Sequence, residues 1–223
     1  WNAIATYNLE IGKHRGDAMV GMELNREDDI NFSGYKEDYS ILTPDYMWPN
    51  AGSGTAQAYG SGEGYSLVSF FGKLNYTYND KYLLSMTVRR DGSSRFGTNN
   101  KWGFFPSVGL GWRISEETFL ANNKVITNLK LRGSYGITGN QEIGNYKSLA
   151  QLKSKNYIYN DALMQGFYET IGNPDLKWER TKQFDLGFDL SLWNRIHLNV
   201  DYYSRRTSDL LYDVPIPSTS GFS

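Results

Sequence analysis

The sequence of 223 residues contains no Cys and only two His, His14 and His197. The absence of Cys excludes disulfides, thiolate zinc sites and cysteine nucleophiles, and two histidines are too few for a three-histidine zinc site. The chain also lacks an apolar run of about 18 residues, which excludes a transmembrane helix. Its net charge of −1 provides no broad attraction to nucleic acid or to anionic lipid.

Aromatic residues and glycine are plentiful instead, with 17 Tyr, 11 Phe, 6 Trp and 23 Gly. Only 39% of the chain is hydrophobic, whereas a soluble core would normally be richer in Leu, Val and Ile. The composition therefore favours a protein whose apolar surface is largely aromatic.

Apolar and polar residues alternate with a period of two, which is typical of β-strands, and a helical period is almost absent. In one clear case Val108, Leu110 and Trp112 alternate with glycines and Arg113. The alternation predicts an all-β, antiparallel fold with eight strands at about residues 1–12, 18–27, 65–78, 81–90, 104–114, 128–138, 180–193 and 196–208.

Most of these strands are about ten residues or longer, the length that a tilted strand needs to cross a membrane. Short connections, such as 79–80 and 194–195, alternate with longer ones, such as 28–64, 91–103 and 139–179. Outer-membrane barrels have short periplasmic turns and longer external loops. Aromatic residues flank two of the short turns, where they would meet the membrane boundary: Tyr76, Tyr78, Tyr82 and Trp193. A soluble β-sandwich also alternates apolar and polar residues, so this alternative stays open.

Five stretches are similar, in order, to the SusC/RagA family of TonB-dependent outer-membrane transporters of Bacteroidetes. They are "LNYTYNDKYLLSMTVRRDGSSRFG" (74–97), "FFPSVGLGWRISEETFL" (104–120), "LKLRGSYGITGNQEIGNY" (129–146), "IGNPDLKWERTKQFDLGFDL" (171–190) and "DYYSRRTSDLLYDVPIPSTSGF" (201–222). The resemblance is close over about residues 65–222 and looser over 1–30. It implies that Val108, Leu110 and Trp112 face lipid.

The resemblance implies a transmembrane barrel of about 22 strands around a plugged lumen. On this expectation residues 1–223 are part of one barrel domain and supply about eight strands, while the plug, the TonB-binding segment and the remaining strands lie outside them. The implied function is import of oligosaccharides or peptides across the outer membrane with a SusD-like surface lipoprotein. The alternatives are a small eight-stranded anchor or adhesion barrel and a soluble β-sandwich binding module.

No catalytic, cofactor or metal site is expected. No Ser has a credible His partner, His14 is placed in a turn, and the acidic run Asp28, Asp29, Glu37 and Asp38 matches no calcium loop. The stretch "GSGTAQAYGSGEG" (52–64) lacks the Gly-Lys-Ser/Thr ending of a phosphate loop and is interpreted as a flexible loop. Five charges on the polar strand faces suit a wet lumen: Lys130, Arg132, Asp185, Asp189 and Asp201.

We therefore expect contacts with the solute, or with the surface lipoprotein that acts as a lid, among residues of the long connections. Aromatic side chains there could stack on sugar rings or pack on one another: Tyr46, Trp48, Tyr59, Tyr157, Tyr159 and Tyr168. The edges of the connection 139–179 carry Asn140, Gln141 and Trp178. Two roles stay open for these residues: packing of the loop, or contact with a ligand or lid.

Overall fold

The computed structural model describes residues 1–120, 123–215, 217 and 219, and the backbone alone at 155, 168 and 169. Within these residues the strands are β1 (Asn2–Ile11), β2 (His14–Tyr35), β3 (Gln57–Tyr78), β4 (Tyr82–Ser93), β5 (Trp102–Arg113), β6 (Ile126–Asn140), β7 (Leu152–Tyr159), β8 (Ala162–Glu169), β9 (Glu179–Leu192) and β10 (Ile196–Ser208). Short 3₁₀ helices lie at Pro44–Tyr46, Pro49–Ala51 and Ile114–Glu116. No helix in the described part of the chain is long and apolar enough to cross a membrane.

Eight of the strands form one sheet in the order β1-β2-β3-β4-β5-β6-β9-β10, and β7 pairs only with β8. The pairs β1–β2, β3–β4, β4–β5, β5–β6, β6–β9, β9–β10 and β7–β8 run antiparallel. The chain follows the sheet in sequence order and omits only the β7–β8 hairpin. The predicted eight-stranded antiparallel sheet is confirmed. Within the described residues β1 and β10 are its two edges.

Two connections contain more strand than predicted. β2 and β3 run through much of 28–64, so the interpretation of 52–64 as a flexible loop is wrong from Gln57 onward. The connection 139–179 contains the β7–β8 hairpin. Apolar periodicity misses these segments because backbone ladder hydrogen bonds require no apolar side chain.

Tight turns with two central residues at positive φ join several of the strands. Asn79 and Asp80 have φ of 52° and 55°, and Asn160 and Asp161 have φ of 51° and 58°. Positive φ at both central residues matches the right-handed twist of the flanking strands, and Asn and Asp tolerate it better than most residues. The predicted turn at 79–80 is confirmed, and the turn at 160–161 explains why the chain reverses inside the long connection.

The alternation gives the sheet an apolar face and a polar face. In β4 and β5 the pairs Tyr82 with Trp112, Leu84 with Leu110 and Met86 with Val108 lie on the apolar face. Large side chains there are exposed; the side chain of Leu110, for example, has 62% of its area accessible. A soluble sandwich would cover this face with a second sheet, so that alternative does not fit the structure.

Unlike the strands, the loops that follow β4 and precede β9 form a small buried core. Phe96 and Trp178 are only 1% and 5% exposed, and their rings lie 4.9 Å apart. The Trp178 indole N–H donates a 2.9 Å hydrogen bond to the carbonyl of Lys101. Phe105 completes the core, and its ring occupies the space that a Cβ at Gly139 would need. The loop-packing interpretation of Trp178 is confirmed.

The chain divides into two compact units, Trp1–Asn25 with Ser66–Ser223, and Arg26–Tyr65. The second unit contains the distal parts of β2 and β3 and the 3₁₀ helices at Pro44–Tyr46 and Pro49–Ala51. Within it the guanidinium of Arg26 lies 2.7 Å from the carboxylate of Asp28. No three metal-ligating side chains are grouped anywhere in the described chain.

The face assignment predicts a contrast between two neighbouring residues of β10. Leu198 pairs with Leu190 on the apolar face, and Asn199 pairs with Asp189 on the polar face. An Arg on the lipid side at mid-membrane costs about 2–4 kcal/mol. Leu198→Arg should therefore reduce the amount of heat-modifiable, folded protein in the outer membrane far more than Asn199→Arg. Equal losses for the two variants would contradict the assignment.

Candidate functional site

The polar face of the sheet carries hydrogen-bonded rows of side chains that cross several strands. In the central row the guanidinium of Arg132 in β6 lies 2.7 Å from the carboxylate of Asp201 in β10 and 3.3 Å from that of Asp189 in β9. Asp189 and Asp201 are 25% and 48% exposed, so the ion pairs remain in contact with water. The row is an ordered, partly hydrated set of charges.

Glycine makes the Arg132 row possible. Arg132 and Asp201 are both register partners of Gly187 in β9, so the ion pair passes over that glycine. A Cβ at Gly187 would clash with the Asp201 carboxylate. On its other side Arg132 is paired with Gly111 of β5, which likewise offers no side chain beyond hydrogen. Because Gly111 and Gly187 have no side chain beyond hydrogen, the Arg132 guanidinium has room to reach across to β10.

A second row joins β2, β3 and β4. The side-chain amide of Asn75 donates to the Asp17 carboxylate at 2.9 Å, and its oxygen accepts from the Ser85 hydroxyl at 2.8 Å. Near the loop core, the Arg89 guanidinium bonds the Asp91 carboxylate at 2.8 Å and the Ser69 hydroxyl at 2.9 Å. The polar face thus presents carboxylates, guanidinium groups, amides and hydroxyls in satisfied networks.

A cavity of about 420 Å³ lies against this face. Its lining includes Arg132 and Lys130 together with Ser134, Asp185 and the backbone of Gly109. The lining combines cationic, anionic and hydroxyl side chains with leucines and glycines. Such a lining offers hydrogen-bond donors and acceptors to a polar molecule. All five charges predicted to line a wet face lie on the polar face of the sheet.

The two histidines have partners that the sequence did not predict. His14 begins β2 rather than lying in a turn, and its Nδ1 is 2.6 Å from the Tyr76 hydroxyl. His197 lies on the polar face as predicted, but its Nδ1 is 2.9 Å from the Ser191 hydroxyl. The expectation that no Ser has a His partner is therefore wrong. Ser191 and His197 are register partners on adjacent strands, so their contact follows from sheet geometry.

The predicted contact residues fall into separate parts of the chain. In the second unit, Trp48 donates its indole N–H to the Asp45 carbonyl at 3.2 Å, and the Tyr59 hydroxyl donates to the Gln57 side chain. Both rings are more than half exposed. Tyr46 is exposed as well.

At the distal end of β6, Asn140 and Gln141 contribute to loop structure. The Asn140 amide lies 3.4 Å from the Glu179 carboxylate, and the Asn140 oxygen accepts the backbone N–H of Glu142 at 2.9 Å. The Gln141 carbonyl accepts a 3.2 Å hydrogen bond from Arg95. The side-chain oxygen of Gln141 is buried and has no hydrogen-bond partner among the described residues.

Tyr157 and Tyr159 share one face of the β7–β8 hairpin, opposite Met164 and Ala162. Both tyrosine rings are about half exposed or more. The side chain of Tyr168 lies outside the described residues. The structure thus brings Tyr157 and Tyr159 together, and it brings Asn140 beside Gln141.

An aromatic row borders the apolar face at the short-turn end of the sheet. The rings of Tyr78, Tyr82 and Trp112 stack in sequence, with centroids 6.3 and 6.4 Å apart. His14 continues the row, 4.9 Å from Tyr78. Aromatic rings at this level are typical of the membrane boundary of outer-membrane barrels.

Glu117 links this row to the adjoining turn through hydrogen bonds. Its role was not predicted from the sequence. Its carboxylate accepts hydrogen bonds from the Lys81 ammonium at 2.9 Å, the Tyr82 hydroxyl at 2.8 Å and the Trp112 indole at 3.1 Å. These donors hold the pKa of Glu117 below its ordinary value, and the hydrogen bond from Lys81 has the largest effect. The 3₁₀ turn at Ile114–Glu116 ends just before Glu117.

The chain resembles known proteins over its whole length. The family profile described as "TonB dependent receptor-like, beta-barrel" matches residues 1–223. TonB-dependent receptor P3 of Formosa agariphila is 40% identical over 223 residues, covering 98% of this chain and 22% of that protein. TonB-dependent receptor SusC of Bacteroides thetaiotaomicron is 37% identical over 229 residues, covering 100% of this chain and 22% of SusC.

Solved structures of transporters are also similar to this chain. The RagAB peptide transporter is similar with a TM-score of 0.84 and 34% identity, covering 99% of this chain and 25% of that one. The RagAB peptide importer in its "closed-closed" state is similar with a TM-score of 0.85 and 34% identity, covering 99% of this chain and 24% of that one. The chain spans about a quarter or less of the length of these relatives.

The Glu117 contacts predict a pH-dependent stability. Because the folded pKa of Glu117 is lowered, its stabilising contribution is present above the ordinary pKa of 4.5 and is lost as the pH falls through the lower folded value. The thermal unfolding midpoint, followed by heat modifiability, should fall below pH 4.5, and Glu117→Gln should remove this component and lower the midpoint at neutral pH.

Glu116→Gln is the matched control, because Glu116 is an exposed neighbour with the same charge. That variant should keep the pH profile of the unaltered protein. A Glu117→Gln profile parallel to the unaltered one would contradict the assigned role of Glu117.

Proposed function

The chain belongs to the TonB-dependent receptor-like β-barrel family, and from this premise we propose that it forms part of the wall of an outer-membrane importer of peptides or oligosaccharides. Its sheet is that of a multi-pass β-barrel of the cell outer membrane, related to SusC and RagA of Bacteroidetes-type transporters. The importer is energised through TonB and works with a SusD-like surface lipoprotein.

One observation carries this proposal: over most of their length the central strands β4, β5, β6, β9 and β10 separate an apolar face from a hydrogen-bonded polar face. In a membrane the apolar face meets lipid, and the polar face then lines an aqueous space. The Arg132 row and the cavity beside it belong to this lining. A wall of this kind suits passage of polar solutes, whereas an anchor has no need of an ordered polar face.

A larger barrel follows from the two sheet edges. β1 and β10 do not pair with each other within the described residues, and an unpaired backbone polar group in lipid costs several kcal/mol. We place further strands of the longer protein beside both edges, which agrees with the length of the relatives. This favours the importer over a closed eight-stranded anchor barrel. The plug and the TonB contact belong to other parts of that protein.

Polar solutes of peptide type fit the lining well. Arg132 and Lys130 lie near Asp185 and Asp189, so the face offers partners for both carboxylate and ammonium groups and for backbone amides. The related RagAB structures are described as a peptide transporter and importer. Hydroxyl-rich oligosaccharides use the same hydrogen-bonding groups and remain the second solute class.

The β7–β8 hairpin is the proposed contact for the lipoprotein lid. It exposes apolar side chains on both faces, with Tyr157 and Tyr159 on one and Ile158, Leu163 and Phe167 on the other. An isolated two-stranded hairpin is only marginally stable in water, so a partner that covers it would stabilise its structure. Trp48, Tyr59, Asn140, Gln141 and Tyr168 are proposed as further contacts of solute or lid.

No chemical step is assigned to the chain. On the polar face Ser191 is half-buried and His197 is exposed, and the ring bonds the hydroxyl through Nδ1. No carboxylate is hydrogen-bonded to His197 in the described structure to orient it, as a catalytic triad requires. The pair is a cross-strand contact in the lumen wall.

Uptake by living cells tests the proposal. Cells that produce the full-length protein and its lipoprotein should accumulate labelled oligopeptides or labelled oligosaccharides, and deletion of tonB should abolish this accumulation. A small solute that enters through general porins serves as the control and should enter equally in all strains. Failure of both solute classes to accumulate, or accumulation that persists without TonB, would overturn the proposed function.

A further inference from the structure

Three cations lie together on the apolar face at the long-connection end of β9 and β10. Lys182 of β9 is the register partner of Arg206 of β10, and Arg180 is paired with Ser208 one step beyond. Register partners in an antiparallel ladder place their side chains on the same side of the sheet. Arg180, Lys182 and Arg206, which we call the basic patch, therefore share the face that carries Phe184 and Leu186.

The basic patch is uncompensated. All three residues are exposed, and none of them forms an ion pair within the part of the chain that the structure describes. Like charges directly opposite each other on neighbouring strands destabilise a sheet. The placement of Lys182 opposite Arg206 is thus unfavourable unless an anion lies between them. Arg132, by contrast, has two carboxylate partners on the polar face.

The position of the basic patch identifies the anion. From Leu192 at the short turn to Lys182, β9 spans ten residue steps, with apolar side chains at Leu190, Phe188, Leu186 and Phe184 between them. At about 3.4 Å per residue and a tilt of about 40°, this corresponds to about 26 Å along the membrane normal. The apolar band of outer-membrane barrels is about 25 Å tall, so the basic patch lies where the hydrocarbon ends.

We infer that the basic patch binds the phosphate-bearing headgroup of a lipid in the outer leaflet. Two guanidinium groups and one ammonium offer charge-assisted, partly bidentate hydrogen bonds to phosphate oxygens. Basic residues beside a membrane-embedded surface are a recognised means of holding anionic headgroups. The inference rests on the membrane orientation of the proposed function.

Lipid binding to the purified full-length protein tests the inference. The probes are lipid A that carries its phosphate, the same lipid A after removal of the phosphate, and inorganic phosphate alone. Each is titrated into the protein in a zwitterionic detergent, and bound lipid is counted by native mass spectrometry. Lys182→Gln/Arg206→Gln should weaken binding of the phosphorylated lipid roughly 30-fold, since each cation at a membrane surface contributes about a 5-fold effect.

Arg205→Gln is the matched control, because Arg205 adjoins Arg206 but pairs with Gln183 on the polar face. It should bind phosphorylated lipid as tightly as the unaltered protein. In detergent without lipid the double variant should unfold at the same temperature as the unaltered protein or higher, since it removes like-charge repulsion. Adding phosphorylated lipid should raise the unfolding temperature of the unaltered protein and leave that of the double variant unchanged.

Several results would overturn the inference. They are equal lipid binding by the double variant, equal binding of dephosphorylated lipid A, and displacement of the lipid by inorganic phosphate at comparable concentration. Unchanged lipid binding combined with loss of lipoprotein binding would identify the basic patch as a protein contact instead. None of these readouts depends on uptake, so they are distinct from failure of the proposed transport function.

Discussion

An extended strand places successive side chains on opposite faces, and this constraint determines the surroundings of every residue in the sheet. In β5, the apolar face toward lipid carries Val108, Leu110 and Trp112. The opposite, aqueous face carries the glycines between them and Arg113. The ladder hydrogen bonds satisfy the backbone between the strands, so the apolar face can meet lipid without exposing polar groups to it. A shift of one residue in any strand would reverse both faces at once. The fold, the membrane location and the polar lining therefore depend on one register.

The polar face requires more than alternation, because long charged side chains need room. Gly111 and Gly187 flank Arg132 in neighbouring strands and leave the space through which its guanidinium reaches Asp201. Partly exposed ion pairs of this kind contribute little stability. Their contribution is order: they hold charges at defined positions along the wall while leaving them accessible to water. On the proposed function, a solute that passes this wall would meet fixed donors and acceptors.

The strands, their faces and the tight turn at 79–80 were predictable from sequence, because each rests on local periodicity or local turn chemistry. Long-range features were not. The distal parts of β2 and β3 are held by pairing with each other, and the β7–β8 hairpin has no strict alternation to reveal it. Ser191 meets His197 through the exact register of the β9–β10 hairpin, and Glu117 meets Lys81 only through the folding of separate segments. Phe105 is buried because Gly139, distant in sequence, leaves room for its ring.

Chemical labelling along β5 tests the two-face arrangement most directly, since this chain contains no Cys and each introduced Cys reports one position. Single Cys substitutions at Ser107, Gly109 and Gly111 should react with a polar, membrane-impermeant maleimide in the full-length protein in outer membranes. Those at Val108, Leu110 and Trp112 should resist it and should be quenched by lipid-phase quenchers when labelled with a small fluorophore. A reactivity pattern without a period of two, or one with the faces exchanged, would contradict the account.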